Sequence, residues 1–264
     1  MSSPSSHPNE WLQPWIDVSG PNSDVLIVLI HGTLDRSAGM ARLSRLASKS
    51  HRTIRFDRRG YGRHTEHSGP FTVEGNTKDV ADLLAGHQAV LIGHSFGGNV
   101  ALRVAELLGS QIVGVSTYET PLSWCDWWPQ DSAGGTALNF PPEQAAESFM
   151  IRMIGERRWM ELPEATRQQR RREGVALTGE LGHLREAAPW NGSKIECPVL
   201  CGRGTKAAPH HVSASKELSL MVRHGTERII EGAGHGAPIS HPKEFFEVLI
   251  HPHLEGSGTF TVTS

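Results

Sequence analysis

Short runs of apolar, often β-branched residues alternate along the chain with segments whose apolar positions recur every three or four residues. This rhythm predicts strands alternating with helices, and hence a parallel sheet covered on both faces. The first strong run, "DVLIVLIHG" at 24–32, is apolar at nearly every position instead of every second one, as a strand buried on both sides must be. The runs at 51–60, 88–95, 111–119, 197–204 and 227–235 predict five more strands. Helical periodicity fills 38–49, 74–85, 96–108, 212–224 and 241–250 between them. The expected fold class is α/β with a mostly parallel, doubly wound sheet.

One interval breaks the rhythm. Residues 121–191 contain no convincing strand, and three tryptophans, Trp124, Trp127 and Trp128, gather at its start. The stretches 141–162 and 165–187 read as helices, the first opened by Pro141 and Pro142, where a missing N–H costs nothing. A structureless loop of that length would be out of keeping with a compact domain, so a helical insertion is expected. The organisation is then an α/β core from 1–120 and 192–264 with an inserted helical unit at 121–191. Arg170, Arg171 and Arg172 are read as a solvated helix face, and the tail 255–264 as loose.

Composition narrows the function classes. With Lys+Arg 26 against Asp+Glu 28, the net charge near −2 argues against a nucleic-acid or anionic-membrane surface as the main partner. The longest strongly apolar run, residues 25–30, is far short of a bilayer span. The N-terminal 20 residues carry neither a basic n-region nor an apolar h-region, so no signal peptide is read and a cytoplasmic location is expected. Cys125, Cys197 and Cys201 make no disulfide framework. Cys197 and Cys201, four apart in a predicted strand, share a face and read as small core residues, not as a metal pair.

The chemistry-bearing pattern is Gly93-His94-Ser95-Phe96-Gly97, a match to G-x-S-x-G. The pattern alone is weak, since a Gly-rich strand-to-helix turn produces it without any activity. Its setting is more telling: an apolar strand precedes it and a helix, "GGNVALRVAELL", follows, as a nucleophile elbow requires. A serine hydroxyl needs a base to take its proton. Of the 15 histidines, His235 stands out, at the end of the last predicted strand in "EGAGHGAP". That places it at the carboxyl end of the sheet, where ligands gather in open α/β folds. "LIHGTLD" at 29–35 ends the first strong strand in a turn that can aim the Thr33 N–H at a developing oxyanion, with the Phe96 N–H as second donor. Asp35 is expected to cap the helix that follows.

"HGTLD" after a strand, "DRRGYGRH" (57–64) after the next, "GHSFGG" at the elbow and "GAGHG" near the end together resemble the α/β-hydrolase fold family. They occur in the family's order and span about 25–250. The resemblance implies that the insertion after the strand ending near Glu119 is a helical lid. It also raises a difficulty. Many family members carry the triad acid in a G-x-x-D pattern after the penultimate strand, and here Gly202-Arg203-Gly204-Thr205 has threonine at that place. Some branches take the acid from the end of the preceding strand, where this chain has Glu119. The expected triad is therefore Ser95, Glu119 and His235, with Asp126 and Asp57 as rival acids and a bare Ser–His pair as the fallback.

Trp124, Trp128, Met150 and Met153 are the substrate-binding candidates among the apolar residues of the insertion, which points to an uncharged, partly apolar small molecule. Three readings compete. One is a serine hydrolase of esters or lactones, with carbon–carbon cleavage or peroxide in place of water on the same machinery. The second is a receptor-like binding protein on the same fold, which the threonine at position 205 would suit. The third is a scaffold using the tryptophans as an interface. A serine nucleophile argues against the family's epoxide hydrolases and haloalkane dehalogenases, which use aspartate. The hydrolase chemistry needs no cofactor and no metal, and the sequence leaves a homodimer open.

Overall fold

The computed structural model describes residue 11 and residues 13–255. The first ten residues and most of the tail read above as loose lie outside the described residues. Seven strands form one sheet: β1 (Ile16–Ser19), β2 (Val25–Ile30), β3 (Thr53–Phe56), β4 (Gln88–His94), β5 (Ile112–Tyr118), β6 (Val199–Gly204) and β7 (Gly225–Ile230). Their order is β1-β3-β2-β4-β5-β6-β7, and every neighbouring pair is parallel except β1 with β3. The six strands expected from the sequence are all present, each somewhat shorter than its apolar run; the last is also displaced, beginning at Gly225 and ending at Ile230 instead of at His235. The additional β1 has only four residues on an edge, too few to show a period.

Alternate residues of the central strands go to opposite cores. Leu26, Val28, Ile30 and Leu91 pack with α2 (Val73–Leu84) and α3 (Phe96–Leu108). Ile27, Leu29, Val90 and Ile92 pack with α1 (Ala41–Ala47) and the C-terminal residues Phe245 and Leu249. Both faces of the sheet are thus removed from water, which is the physical reason for the unbroken apolar runs.

After β5 the chain leaves the sheet and forms α4 (Ala133–Ala137), α5 (Pro142–Ile154), α6 (Glu156–Glu161), α7 (Glu164–Arg172) and α8 (Gly174–His183) before returning as β6. These helices bury their own cluster around Trp159, Ala145, Ala146 and Leu177, to which the core contributes Leu34 and Tyr61. The expected helix at 141–162 is broken at Gly155, whose φ of +85° no continuing helix accepts. The expected helix at 165–187 is two, divided at Glu173. α9 (Pro209–Met221) follows β6.

Two local expectations are corrected. Asp35 caps no helix: a 3-10 turn at Ser37–Met40 precedes α1, its N-cap residue is Arg36, and neither start has a side-chain cap. The Arg170–Arg172 run is only partly solvated. Arg170 bonds the Leu34 carbonyl and Arg171 pairs with Glu147 and Glu164, so two of the three arginines brace the helices, while Arg172 is exposed. No helix among the described residues is long and apolar enough to cross a membrane.

Candidate active site

Register brings the site together. Ile30 lies beside Gly93, and His94 beside Tyr118, so the residues that follow β2, β4 and β5 leave the sheet at one edge. The order of strands reverses direction between β2 and β4, and crevices at such switch points are where open α/β sheets bind ligands.

Ser95 occupies the turn between β4 and α3 with φ +54° and ψ −124°, a conformation that costs a non-glycine residue about 1–3 kcal/mol. The surrounding structure holds it there. Its N–H donates to the Tyr118 carbonyl at 2.8 Å, and its carbonyl accepts from the Gly98 N–H at 2.9 Å. The turn is possible only because strand and helix approach very closely. A Cβ at Gly97 would lie 2.3 Å from the Ile30 carbonyl oxygen, and one at Gly32 would lie 2.9 Å from the Ser95 Cβ. The glycines flanking the elbow are therefore dictated by van der Waals contact.

Glu119, the first residue past β5, is 1% exposed and also has positive φ, +44°. Its N–H donates to the Gly202 carbonyl at 2.9 Å, which ties the turn to β6. One carboxylate oxygen accepts from the Gly204 N–H at 3.3 Å, and the other lies 2.8 Å from His235 Nδ1. His235 reaches this point from the turn beyond β7, five residues past the strand's end. Thr205 serves elsewhere. Its hydroxyl accepts from the Gly232 N–H at 2.9 Å and meets Glu231 at 3.3 Å, which braces the turn leading to His235. Asp126 is exposed. Asp57 takes hydrogen bonds from the Ser37 N–H and from Arg63; burial alone would raise its pKa, but these bonds prevail and hold it at about 2. Of the three acids, the one joined to His235 is Glu119.

His235 and Ser95 line one pocket, but Ser95 Oγ is not among the hydrogen-bond partners of His235, which are Glu119 and His94. The His94 Nε2–H donates to the His235 carbonyl at 2.9 Å and fixes that loop. Burial, with His235 close by, lowers the His94 pKa to about 3, so this ring stays neutral. His211, whose ring stacks on His235 with centroids 5.0 Å apart, is likewise driven well below the ordinary histidine value by burial and by its histidine neighbours. Both flanking imidazoles are poor proton acceptors, and the histidine bonded to a carboxylate is His235.

Glu119, His211 and His235 bring nitrogen and oxygen atoms within 4.8 Å of one another, close enough to consider a metal. The geometry does not suit one. His235 Nδ1 and Glu119 are already bonded to each other, and the rings of His211 and His235 stack at an interplanar angle of 27°. Imidazole lone pairs lie in the ring plane, so two stacked rings do not converge on one ion.

The turn after β2 is held by a buried network. The Arg58 N–H donates to His31 Nε2 at 2.9 Å, leaving Nδ1–H to donate to the Gly32 carbonyl at 2.8 Å. Arg58 Nε donates to the His31 carbonyl at 2.8 Å, and its guanidinium pairs with Glu180 of α8. Glu180 also accepts from the hydroxyls of Thr33 at 2.9 Å and Tyr61 at 2.8 Å. The oxyanion candidate Thr33 is thus bound to the helical excursion through a fully buried ion pair. Phe96 lies across from it at the start of α3, buried, with the Arg58 guanidinium 4.9 Å from its ring centre. Removing one partner of such a pair typically costs about 3–5 kcal/mol, because the other charge is left buried alone.

The pocket containing Ser95 and His235 has a volume of about 80 Å³ and also draws on Thr33, Phe96, Phe149 and Leu181. Of the four substrate-binding candidates, Trp128 and Met153 line it. Trp124 instead packs edge-on against Trp190, and Met150 is buried in the cluster of the inserted helices. His211, Arg185 and Glu180 were not singled out from the sequence. Nothing in the periodicity of α8 tells which of its polar residues turns inward.

The family model of the alpha/beta hydrolase family matches residues 27–248. Among solved structures, the enol-lactonase from Burkholderia xenovorans LB400 superimposes with a TM-score of 0.67 at 22% identity, over 88% of this chain and 93% of that one. A thermophilic esterase from Thermogutta terrifontis gives 0.65 at 21% identity, over 88% and 89%. MenH from S. aureus gives 0.72 at 18% identity, over 92% and 98%. At these identities the likeness is one of fold. Among curated proteins none matches. The family match over most of the chain, on a seven-stranded sheet with its elbow after β4, settles the classification: the chain belongs to the alpha/beta hydrolase family.

Proposed function

We propose that this protein is a serine hydrolase of small carboxylic esters or lactones, working through Ser95, His235 and Glu119. The observation that carries the reading is the 2.8 Å bond from His235 Nδ1 to a buried Glu119, beside a serine at φ +54° in the same pocket. Esterase and lactonase structures on the same fold are consistent with it.

In this reading Ser95 Oγ attacks the acyl carbonyl while His235 Nε2 takes the hydroxyl proton. Glu119 keeps the other ring proton on Nδ1 and stabilises the imidazolium. The oxyanion accepts hydrogen bonds from the N–H groups of Thr33 and Phe96. As the tetrahedral adduct collapses, His235 returns its proton to the departing oxygen. Water then repeats the cycle on the acyl-enzyme, releasing the acid and restoring Ser95. The bond between Ser95 and His235 forms as substrate enters, a tightening common when resting sites load. The helices α4–α8 act as a lid, and Glu180 couples them to the oxyanion turn.

A fluorophosphonate probe tests this whatever the natural substrate is. We expect one adduct, at Ser95, absent in Ser95→Ala. Labelling and ester turnover should fall by about three to four orders of magnitude in Glu119→Gln, the loss expected when the orienting carboxylate is neutralised. Equal rates in Glu119→Gln would discard Glu119 as the acid. No labelling of a folded protein would favour a binding role for the pocket.

A further inference from the structure

Arg185 lies just past the end of α8 and lines the same pocket as Ser95 and His235. Its Nη1 donates to Gln130 Oε1 at 3.0 Å and its Nη2 to Ser132 Oγ at 3.3 Å, both neutral acceptors. Several other partly or fully buried arginines are matched by acids: Arg36 by Glu173, Arg58 by Glu180, Arg59 by Asp79 and Arg171 by Glu147. For Arg185 no ion pair is found among the described residues. Burial lowers its pKa, and no neighbouring carboxylate raises it again. A guanidinium nevertheless keeps its charge at neutral pH.

A half-buried cation without a counter-ion is costly where much of the wall is apolar, here Trp128, Phe149, Met153 and Leu181. That cost is offset when the ligand itself brings the anion. Arginine is suited to this, because its planar fork presents two parallel N–H donors to a carboxylate.

We infer that Arg185 is a carboxylate-binding residue of the pocket, and that the molecule taken there is an ester or lactone carrying a second, ionised carboxylate. The inference rests on the proposed hydrolase reading for the words ester and lactone, while the anion site stands on Arg185 alone. It revises the uncharged substrate expected from the composition of the insertion. The apolar walls then enclose the carbon skeleton between the reacting carbonyl and the carboxylate.

The test compares small carboxylates, from acetate to phenylpropionate, with their matching amides, as ligands that slow fluorophosphonate labelling of Ser95. The wild type, Arg185→Met, Arg185→Lys and Gln130→Ala are measured side by side. In the wild type the tightest carboxylate should protect Ser95 well below the concentration at which its amide does. Arg185→Met should weaken that protection about ten- to hundredfold, the usual value of a hydrogen bond to a charged group. Arg185→Lys should recover part of it, and Gln130→Ala, which loosens the same loop without removing charge, should keep it. Protection by amides equal to that by carboxylates, or unchanged protection in a folded Arg185→Met, would overturn the proposal. Calorimetry with the same ligand pairs gives the comparison independently of Ser95. Carboxylate binding without labelling would therefore retain the anion site and reject the hydrolase reading, and labelling without carboxylate preference would do the reverse.

Discussion

Ser95 and Glu119 both hold positive φ, yet for different reasons. At Ser95 the strain lifts a hydroxyl out of a closely packed strand–helix turn. At Glu119 it turns a carboxylate into a buried position beside β6, where the Gly204 N–H receives it. The strain at position 95 predicts a stability difference between two inactive variants. Ser95→Gly should be more stable than Ser95→Ala by about 1 kcal/mol, since glycine adopts φ near +54° without the Cβ penalty and gives back part of the gain as unfolded-state entropy. Thermal denaturation of the two variants under identical conditions decides it, and an alanine variant at least as stable would show that the backbone relaxes. Much of the candidate site was legible at this scale. Ser95 and Glu119 directly follow strongly apolar strands and His235 lies on the turn beyond the last strand, and a parallel sheet gathers such positions at one end. Arg185 and Glu180 were not legible, because a polar residue on a helix declares its period but not its partner.

At the scale of elements, the fit of α3 against the strand ends is what keeps the elbow in shape. A Cβ at Gly98 would fall 1.9 Å from Thr120 Oγ1 and 3.0 Å from Thr120 Cβ. The hydroxyl of Thr120 is buried without a hydrogen-bond partner among the described residues, so the threonine has little there to lose. Gly98→Ala alone should destabilise by about 1–3 kcal/mol as an overpacked contact. Adding Thr120→Ala removes the clashing atom together with the unpartnered hydroxyl, and the double variant should regain most of the loss. Urea unfolding of the two single variants and the double closes the cycle; strict additivity would mean that the clash lies elsewhere. The existence of α3 could be read from its periodicity, whereas its closeness to Thr120 could not. Similarly, the breaks at Gly155 and Glu173 that turn two expected helices into four depend on how α5–α8 pack around Trp159, which a one-dimensional pattern does not contain.

The whole molecule buries several histidines as neutral rings, and this sets its behaviour in acid. His94 has its pKa depressed from 6.5 to about 3 by burial, with His235 adding to the effect. His253, bonded to Ser116 Oγ, is brought down to about 4, and His31 and His211 shift in the same direction. In the unfolded chain these rings take up protons as pH falls through about 6.5, while the folded chain refuses them until its lower values are reached. The unfolded state therefore binds more protons across that window, and stability must fall as pH falls from about 6.5 toward 3. At pH 5 His94 alone should cost about 2 kcal/mol relative to neutral pH. Asp57 acts in the same sense lower down: its folded pKa of about 2 lies below the ordinary 3.8, so its contribution is complete above that value and is lost as pH drops through 2. Urea denaturation between about pH 7.5 and 4.5 should give a steady decline in unfolding free energy. The decline should be shallower in His94→Gln, whose amide can still donate to the His235 carbonyl but does not titrate. A flat profile, or an equal slope in the variant, would mean that His94 is not held neutral in the folded state, and the neutral imidazoles flanking His235 would have to be reconsidered.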